Sequence, residues 1–176
     1  MLDRLPEIID PLVFAERRTE LKGKLKLSSL ARLSGSLLDN AGNVEVELFF
    51  NKKGRHSFID GLAKTVLSLQ CQNCLELVEL PIEIVIKLGL ITRLEQADEL
   101  PSGYEPLLID DEKMLLKDIV EDELLLALPA FPKHSEPCAQ FQTQTGEMPI
   151  SIEQLDPIES ENPFAVLAKL KKTGDK

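Results

Sequence analysis

The 176-residue sequence has no tryptophan, one tyrosine and only three cysteines, and its 30 acidic residues outnumber its 20 lysines and arginines. Because three is an odd number of cysteines, a disulfide framework is disfavoured and we expect a reducing, cytoplasmic location. Uninterrupted apolar runs reach only about five residues, far below the roughly 20 of a membrane-spanning helix. The acidic first ten residues lack the apolar core of a secretory signal. The sequence therefore predicts a globular protein with no membrane partner.

Motifs of catalysis are also missing. The sequence contains no glycine-rich phosphate loop and no G-x-S-x-G nucleophile elbow, and its only histidines are His56 and His134. Few aromatic rings of the tryptophan or tyrosine type are available to stack on single-stranded nucleic acid. We therefore expect neither enzyme activity nor a small-molecule substrate.

Charge is segregated along the chain, which as a whole carries a net charge of −10. Residues 76–123 contain fourteen acidic and four basic side chains, whereas residues 16–33 have a net positive charge. Since cations neutralise RNA phosphates, we predict RNA contacts in the basic segment and near the C-terminus. The simpler alternative is solvated faces around one core. The predicted RNA-binding residues are Arg17, Arg18, Lys22, Lys24, Lys26, Lys169, Lys171 and Lys172.

Alternating apolar and polar residues predict several strands in the first half of the chain. Their predicted ranges are 44–50, 58–69 with an interruption at Asp60 and Gly61, 75–80 and 82–91. Residues 25–38 are ambiguous, and we favour a strand there. Strands followed by helices indicate an α+β fold, built on an antiparallel β-sheet or small open barrel with a C-terminal helical part.

A helix is predicted from Leu115 to about Leu128, because apolar residues recur there at steps of three and four and Pro129 follows. Its acidic side chains are predicted to bind a protein partner. The residues assigned to that role are Glu121, Asp122 and Glu123. A catalytic carboxylate pair is the alternative interpretation, but no histidine or nucleophile accompanies it.

The C-terminal part is predicted to be organised separately from a single α+β domain at residues 1–140. A polar, proline-containing stretch that begins at residue 141 is typical of a mobile linker. Asn162 and Pro163 then predict the start of a short helix over about 162–172, since asparagine caps helices and proline is tolerated at their first position. We expect this helix to dock on a partner through Phe164 and Leu167.

All three cysteines fall into two clusters that together hold the ligands of a metal site. Cys71 and Cys74 form a C-x-x-C pair between two predicted strands, and His134 and Cys138 follow the predicted helix. Three thiolates and an imidazole are the ligand set of a structural Cys₃His zinc site. Two alternatives remain open, namely inert thiols and a thioredoxin-like redox pair.

Five segments, which follow one another in the same order along the chain, resemble the bacterial YceD family, described as large ribosomal RNA subunit accumulation proteins. The resemblance covers nearly the whole chain and lies in L-Q-C-Q-N-C (69–74), L-P-S-G-Y-E-P (100–106), V-E-D-E-L-L-L-A-L-P (120–129), P-K-H (132–134) and N-P-F-A-V-L-A-K-L-K (162–171).

The resemblance implies a cytoplasmic factor needed for synthesis, processing or stability of 23S rRNA, with a large-subunit rRNA precursor or a ribosomal protein as its partner. It implies no enzyme activity and no catalytic residues. Two other classes of function stay open at this point. One is a zinc- or thiol-dependent enzyme acting on RNA, and the other is a general protein-interaction module.

Overall fold

The computed structural model describes residues 5–138, and within this range the predicted α+β class is confirmed. The predicted boundary after residue 140, the linker and the 162–172 helix lie outside the described residues and stay predictions. In chain order the elements are β1 (Ile8–Ile9), α1 (Pro11–Arg17), β2 (Glu20–Lys26), a 3-10 helix (Leu27–Ser29), α2 (Ala31–Ser34), β3 (Asn43–Lys53), β4 (His56–Gln70), β5 (Leu77–Ile91), a second 3-10 helix (Leu94–Glu99), β6 (Glu105–Leu108), β7 (Met114–Leu115) and α3 (Leu116–Ala127).

A five-stranded sheet with the order β2-β3-β4-β5-β6 forms the framework. The first four strands pair antiparallel with their neighbours in sequence, and β6 joins β5 in parallel. In β3, Val44 and Phe50 are fully buried, whereas Glu45 and Glu47 are exposed. This alternation gives the sheet a buried inner face and an outer face that carries charged side chains. Among residues 5–138 the strand order ends at β2 and β6, so the sheet is open rather than a closed barrel.

Helices α1 and α3 contribute to the core. Asp10 caps α1 by accepting a hydrogen bond from the Val13 backbone N–H at 3.0 Å, and Pro11 occupies the first turn. The Phe14 ring of α1 meets Phe50 of β3 edge-to-face with centroids 5.4 Å apart. The predicted apolar stripe of α3 is confirmed, because its buried residues include Leu116, Ile119, Val120 and Leu124. None of the helices between residues 5 and 138 has the length and hydropathy of a membrane span.

The strand favoured at residues 25–38 is wrong. The chain leaves β2 after Lys26 and forms a 3-10 helix followed by α2. Serine side chains satisfy backbone groups in this segment, since Ser29 Oγ donates to the Lys26 carbonyl at 2.6 Å and Ser34 Oγ to the Leu27 carbonyl at 3.0 Å. Such local hydrogen bonds compete with a strand ladder and favour turns and short helices.

The predicted break at Asp60 and Gly61 is also wrong, because β4 runs unbroken through both residues. A Cβ at Gly61 would lie 2.6 Å from the Glu47 carbonyl oxygen, so glycine here permits close approach of β3 rather than a turn. The two strands predicted at 75–80 and 82–91 are a single strand, β5. Pro81 lies within β5 beyond the four residues that pair with β6, and a free edge tolerates its missing N–H.

Candidate metal centre

The two ends of the cysteine and histidine cluster come from different parts of the fold. Cys71 directly follows β4, and Cys74 lies in the turn that leads to β5. That turn is closed by hydrogen bonds from the Cys71 N–H to the Glu76 carbonyl at 2.8 Å and from the Leu75 N–H to the Cys71 carbonyl at 2.9 Å. Leu75 takes a left-handed conformation with φ of 66°. The tight turn places both sulfurs on one side of the β4–β5 tip.

The segment after α3 delivers the other two candidate ligands to this tip. The Gln72 N–H donates to the Pro132 carbonyl at 2.8 Å, which anchors the segment beside the turn. His134 Nε2 lies 3.0 Å from the Leu77 carbonyl oxygen, and because a carbonyl only accepts, Nε2 carries the proton. In the neutral imidazole, the form that binds a metal, Nδ1 is then unprotonated and faces the thiols. A histidine that ligates a metal is commonly oriented by such a bond from its second nitrogen.

The four ligand atoms of Cys71, Cys74, His134 and Cys138 all lie within 4.8 Å of one another. The Cys71 and Cys138 sulfurs are 3.6 Å apart, and Cys74 Sγ is 3.5 Å from His134 Nδ1. Tetrahedral zinc with ordinary bond lengths separates two sulfurs by about 3.8 Å and a sulfur from a nitrogen by about 3.6 Å. The predicted convergence is confirmed, and these four residues can hold a metal ion.

All three cysteines are free thiols. The 3.6 Å between the sulfurs of Cys71 and Cys138 is far longer than the roughly 2.05 Å of a disulfide. A thioredoxin-like redox site also requires its cysteine pair at a helix N-terminus. Cys71 and Cys74 lie instead at the tip of two antiparallel strands, which favours ligation over disulfide exchange.

The environment favours the ionised form of Cys71. Burial opposes ionisation, but the backbone N–H groups of Cys74, Asn73 and His134 outweigh it and lower the pKa of Cys71 to about 5. Hydrogen bonds to the sulfurs of Cys138 and Cys71 raise the pKa of His134. A thiolate is the form that binds metal, so the local dipoles prepare Cys71 as a ligand.

Asn73 and Leu77 support the cluster, and the sequence did not predict either. The Asn73 backbone N–H lies 3.4 Å from Cys71 Sγ, and its side-chain Nδ2 lies 3.5 Å from Cys138 Sγ. The position of Asn73 between the two cysteines was a usable signal, because the inner residues of a C-x-x-C turn direct N–H groups at the first sulfur. Every residue has a backbone carbonyl, so the residue type of Leu77 gives no sign of its contact with His134. Only the three-dimensional arrangement identifies that contact.

The predicted RNA-binding residues of the first segment lie on or next to the outer face of the sheet. Lys22 forms an ion pair with Glu47, and Lys24 Nζ lies 2.6 Å from Glu45 Oε1. The bond to Glu47 raises the pKa of Lys22, and the bond to Lys24 lowers the pKa of Glu45. This face is a ladder of alternating signs rather than a uniformly basic stripe.

Three of the remaining predicted cations, Arg17, Arg18 and Lys26, are exposed and form no ion pair with residues 5–138. Arg17 and Arg18 end α1, and Lys26 ends β2. Lys169, Lys171 and Lys172 lie outside the described residues. RNA binding by all eight stays a prediction.

The acidic residues predicted to share an exposed surface do not do so. Glu121 is 3% exposed, and its Oε1 accepts the backbone N–H groups of Arg32 at 2.7 Å and Leu33 at 3.0 Å. Its place on the solvent face is therefore wrong, since the carboxylate caps the start of α2. Asp122 is exposed and pairs with Arg32 at 2.5 Å. Burial, followed by the charges of Glu105 and Asp122, raises the pKa of Glu123.

Partner binding by Asp122 and Glu123 stays a prediction. So does docking through Phe164 and Leu167, which lie outside the part of the chain that the structure describes.

Comparison with known proteins adds two findings. A sequence model of the family described as "Large ribosomal RNA subunit accumulation protein YceD" matches residues 59–171. A curated protein of the same description from Haemophilus influenzae (strain ATCC 51907 / DSM 11121 / KW20 / Rd) is 32% identical over 170 residues, which cover 96% of this chain and 97% of that protein. No solved structure matches the chain.

Proposed function

The chain belongs to the YceD family of large ribosomal RNA subunit accumulation proteins, and from this premise we propose that it is a non-enzymatic cytoplasmic factor that supports synthesis, processing or stability of 23S rRNA. The single observation that carries the proposal is the match to a protein of that description along nearly the full length of both chains. Its partner is a large-subunit rRNA precursor or a ribosomal protein bound to one.

The charge distribution supports a partner whose phosphates contact one side of this protein. Arg17, Arg18 and Lys26 form no ion pair with the described part of the chain and can contact phosphate, whereas Lys22 and Lys24 are partly neutralised by glutamates. Phosphate contacts of this kind make binding fall with added salt, by a slope of about 0.9 per contact on a duplex. The acidic side chains on the rest of the protein reduce binding to unrelated RNA. Binding to the precursor is therefore expected to be selective, and it should weaken at high salt.

The metal centre, in this proposal, is a structural zinc site. Four protein ligands fill a tetrahedral shell, and zinc sites of that kind have no open position for substrate. Zinc would join the β4–β5 tip to the segment after α3 and thereby fix the position from which the chain continues toward its C-terminus.

Sedimentation of the purified full-length protein with large-subunit precursors tests the function. At low salt we expect it to travel with the particles, and replacing Arg17, Arg18 and Lys26 by alanine to weaken that association. The matched control replaces Arg93, Lys113 and Lys133 by alanine, because it removes the same charge at exposed positions elsewhere. Wild-type protein that stays at the top of the gradient at low salt contradicts the proposal, as does turnover of RNA by the purified protein.

Ribonuclease treatment separates the two kinds of partner. A large-subunit protein that is still recovered with the chain after ribonuclease indicates recognition through protein. Loss of all ribosomal material after the same treatment indicates recognition through RNA.

Metal analysis tests the zinc proposal. We expect about one zinc per chain in the wild type and in His56→Ala, whose side chain lies outside the cluster. His134→Ala removes one ligand and is expected to lower the zinc content or its retention against a chelator. If wild-type protein produced in zinc-containing medium is purified and contains no bound metal, the proposal is contradicted.

A further inference from the structure

A groove of about 290 Å³ lies at one end of the outer face, where α1, β3 and β4 meet. It is lined by Arg18, Phe49, Asn51, Lys52, Lys53 and Asp60. We propose that this groove binds a single-stranded RNA segment, with one base stacked on Phe49 and the backbone along the cationic side. The inference rests on the proposed function and adds to it a site and a substrate class, since none of Phe49, Asn51, Lys52 and Lys53 was predicted to bind RNA.

Phe49 supplies the stacking surface. Its side chain is 42% exposed on the outer face, where it lies between Glu20 of β2 and Asp60 of β4 in the strand register. The flanking positions of β3 on the same face are the polar residues Glu47 and Asn51, so a large apolar ring here is not required by the core. An exposed aromatic ring on a sheet offers a flat surface to any base, and such stacking is tolerant of sequence.

Cationic side chains lie on one side of the Phe49 ring. Arg18 follows α1 in a left-handed conformation with φ of 53°, and Lys53 lies at the end of β3. Neither forms an ion pair with the described residues, whereas Lys52 is held by Glu16 at 2.9 Å. Lys53 Nζ lies 5.9 Å from the centroid of the Phe58 ring, a contact that leaves its charge unpaired. Two phosphates can therefore be neutralised without breaking an ion pair among residues 5–138.

Acidic side chains border the ring on the opposite side. Glu20, Glu47 and Asp60 line a neighbouring depression, which shares Phe49 and Asp60 with the groove. Repulsion excludes phosphate from that side, so the backbone must follow Arg18 and Lys53 while the base points across the ring toward Asp60.

Asn51 provides an acceptor for the base. The side chain is 6% exposed, and its Nδ2 donates to Asp60 Oδ2 at 2.6 Å. Because an ionised carboxylate only accepts, this bond fixes which end of the amide is oxygen. Tyr104 donates its hydroxyl to the other Asp60 oxygen at 2.9 Å, yet Asn51 Oδ1 has no partner among residues 5–138. A buried acceptor without a donor is unfavourable, and Oδ1 is enclosed in the free protein. In this proposal the Asn51 amide turns toward the groove when RNA binds, and a base amino group then supplies the donor.

Fluorescence anisotropy with labelled twelve-nucleotide RNAs tests the site on the full-length protein. We expect oligo(A) to bind more tightly than an RNA duplex, because only unpaired bases can stack on Phe49. Oligo(U) is expected to bind several-fold more weakly than oligo(A), since uracil has no exocyclic amino group for Asn51.

Two pairs of variants assign the contacts. Phe49→Leu keeps an apolar side chain but removes the ring, and we expect about tenfold weaker binding of oligo(A). The control is Phe131→Leu, at an exposed phenylalanine outside the groove, and it should leave binding unchanged. Arg18→Ala should reduce the steepness of the salt dependence by about 0.7, the value of one single-strand phosphate contact, whereas Lys113→Ala should not.

Equal affinities of Phe49→Leu and wild-type protein for oligo(A), or preference for the duplex, overturn this inference. The proposed function fails separately, when wild-type protein does not accompany large-subunit precursors. A third result would separate the two proposals. If Phe49→Leu still associates with the particles and the wild type binds no oligonucleotide, the proposed function is retained and the groove is rejected as an RNA site.

Discussion

Individual residues reveal where a one-dimensional pattern misleads. The sequence placed Glu121 with Asp122 and Glu123 on the surface of the predicted helix. The structure instead turns Glu121 inward, because the first turn of α2, with Arg32 89 residues earlier in the chain, has backbone N–H groups that need an acceptor. Nothing in residues 116–127 encodes that need. A buried carboxylate can be predicted only once the element it serves has been located.

Loss of the Glu121 carboxylate is expected to be strongly destabilising. Glu121→Ala leaves the N–H groups of Arg32 and Leu33 without an acceptor, and we expect it to lower the free energy of unfolding by about 2–4 kcal/mol. Glu121→Gln retains the oxygen that accepts both groups and should lose about half as much. Asp122→Ala breaks only an exposed ion pair and should cost less than about 1 kcal/mol. Urea denaturation measures all three, and similar losses for Glu121→Ala and Asp122→Ala would contradict this account.

Glu123 is expected to make stability depend on pH. Burial raises its pKa, so the folded protein binds this proton more tightly than the unfolded chain does. Its contribution therefore falls as the pH rises above the unfolded value of about 4.3. Glu123→Gln should be more stable than wild type at pH 7 by less than about 1 kcal/mol, because solvent screens a half-buried group, and the difference should shrink toward pH 4.

Denaturant unfolding of both proteins between pH 4 and pH 7 measures the effect of Glu123. Glu112→Gln is the control for loss of one acidic charge at an exposed position. A stability difference for Glu123→Gln that grows as the pH is lowered would show that the sign is wrong.

Elements were predicted well where a single pattern governs many residues. Alternation located β3 and most of β4, and the three- and four-residue period located α3. The errors at Gly61 and Pro81 have a common origin, since both residue types usually interrupt strands. Gly61 is tolerated because β3 approaches it closely, and Pro81 because β6 does not extend to its side of β5. The four candidate metal ligands were predictable by residue type and spacing, whereas the supporting contacts of Asn73 and Leu77 depend on how the β4–β5 turn folds.

The turn at Leu75 carries a cost that substitution can relieve. Leucine is unfavourable at φ of 66°, and its side chain is 64% exposed, so it contributes little burial. Leu75→Gly should raise the free energy of unfolding by about 0.5–1 kcal/mol in the metal-loaded protein. Leu94→Gly, at another strongly exposed leucine, has no left-handed strain to relieve and should be neutral or destabilising. Thermal or urea unfolding compares them, and destabilisation by Leu75→Gly would argue against strain at this turn.

At the scale of the whole molecule, the fold class and the opposing charge segments follow from composition and order, but the pairing of charges across strands does not. A net charge of −10 gives no hint that Lys22 and Lys24 face Glu47 and Glu45. That pairing arises from the register of β2 with β3, which sequence periodicity leaves open by two residues in either direction. The consequence is that fewer cations are free for RNA than the sequence predicts.

Metal removal is expected to destabilise the molecule as a whole, because the ligands are contributed by segments about 60 residues apart. With zinc present at about a thousand times its dissociation constant, binding adds about 4 kcal/mol to stability. A chelator should therefore lower the Tm of the wild type by about 8–16 °C. His134→Ala should begin with a lower Tm and respond less to the chelator, while His56→Ala should behave as the wild type. Calorimetry with and without chelator makes the comparison, and an unchanged wild-type Tm contradicts it.

The chain order of the sheet has a consequence for the newborn protein. Strands β3, β4 and β5 each pair with the strand that was translated just before, so each of these hairpins can close soon after its second strand leaves the ribosome. The cysteines at the β4–β5 tip must nevertheless wait, because His134 and Cys138 are synthesised last among the four ligands. Capture of the proposed zinc by all four residues would thus require that translation has passed residue 138. A nascent chain arrested earlier would carry the paired strands β2 to β5 with an incomplete ligand set.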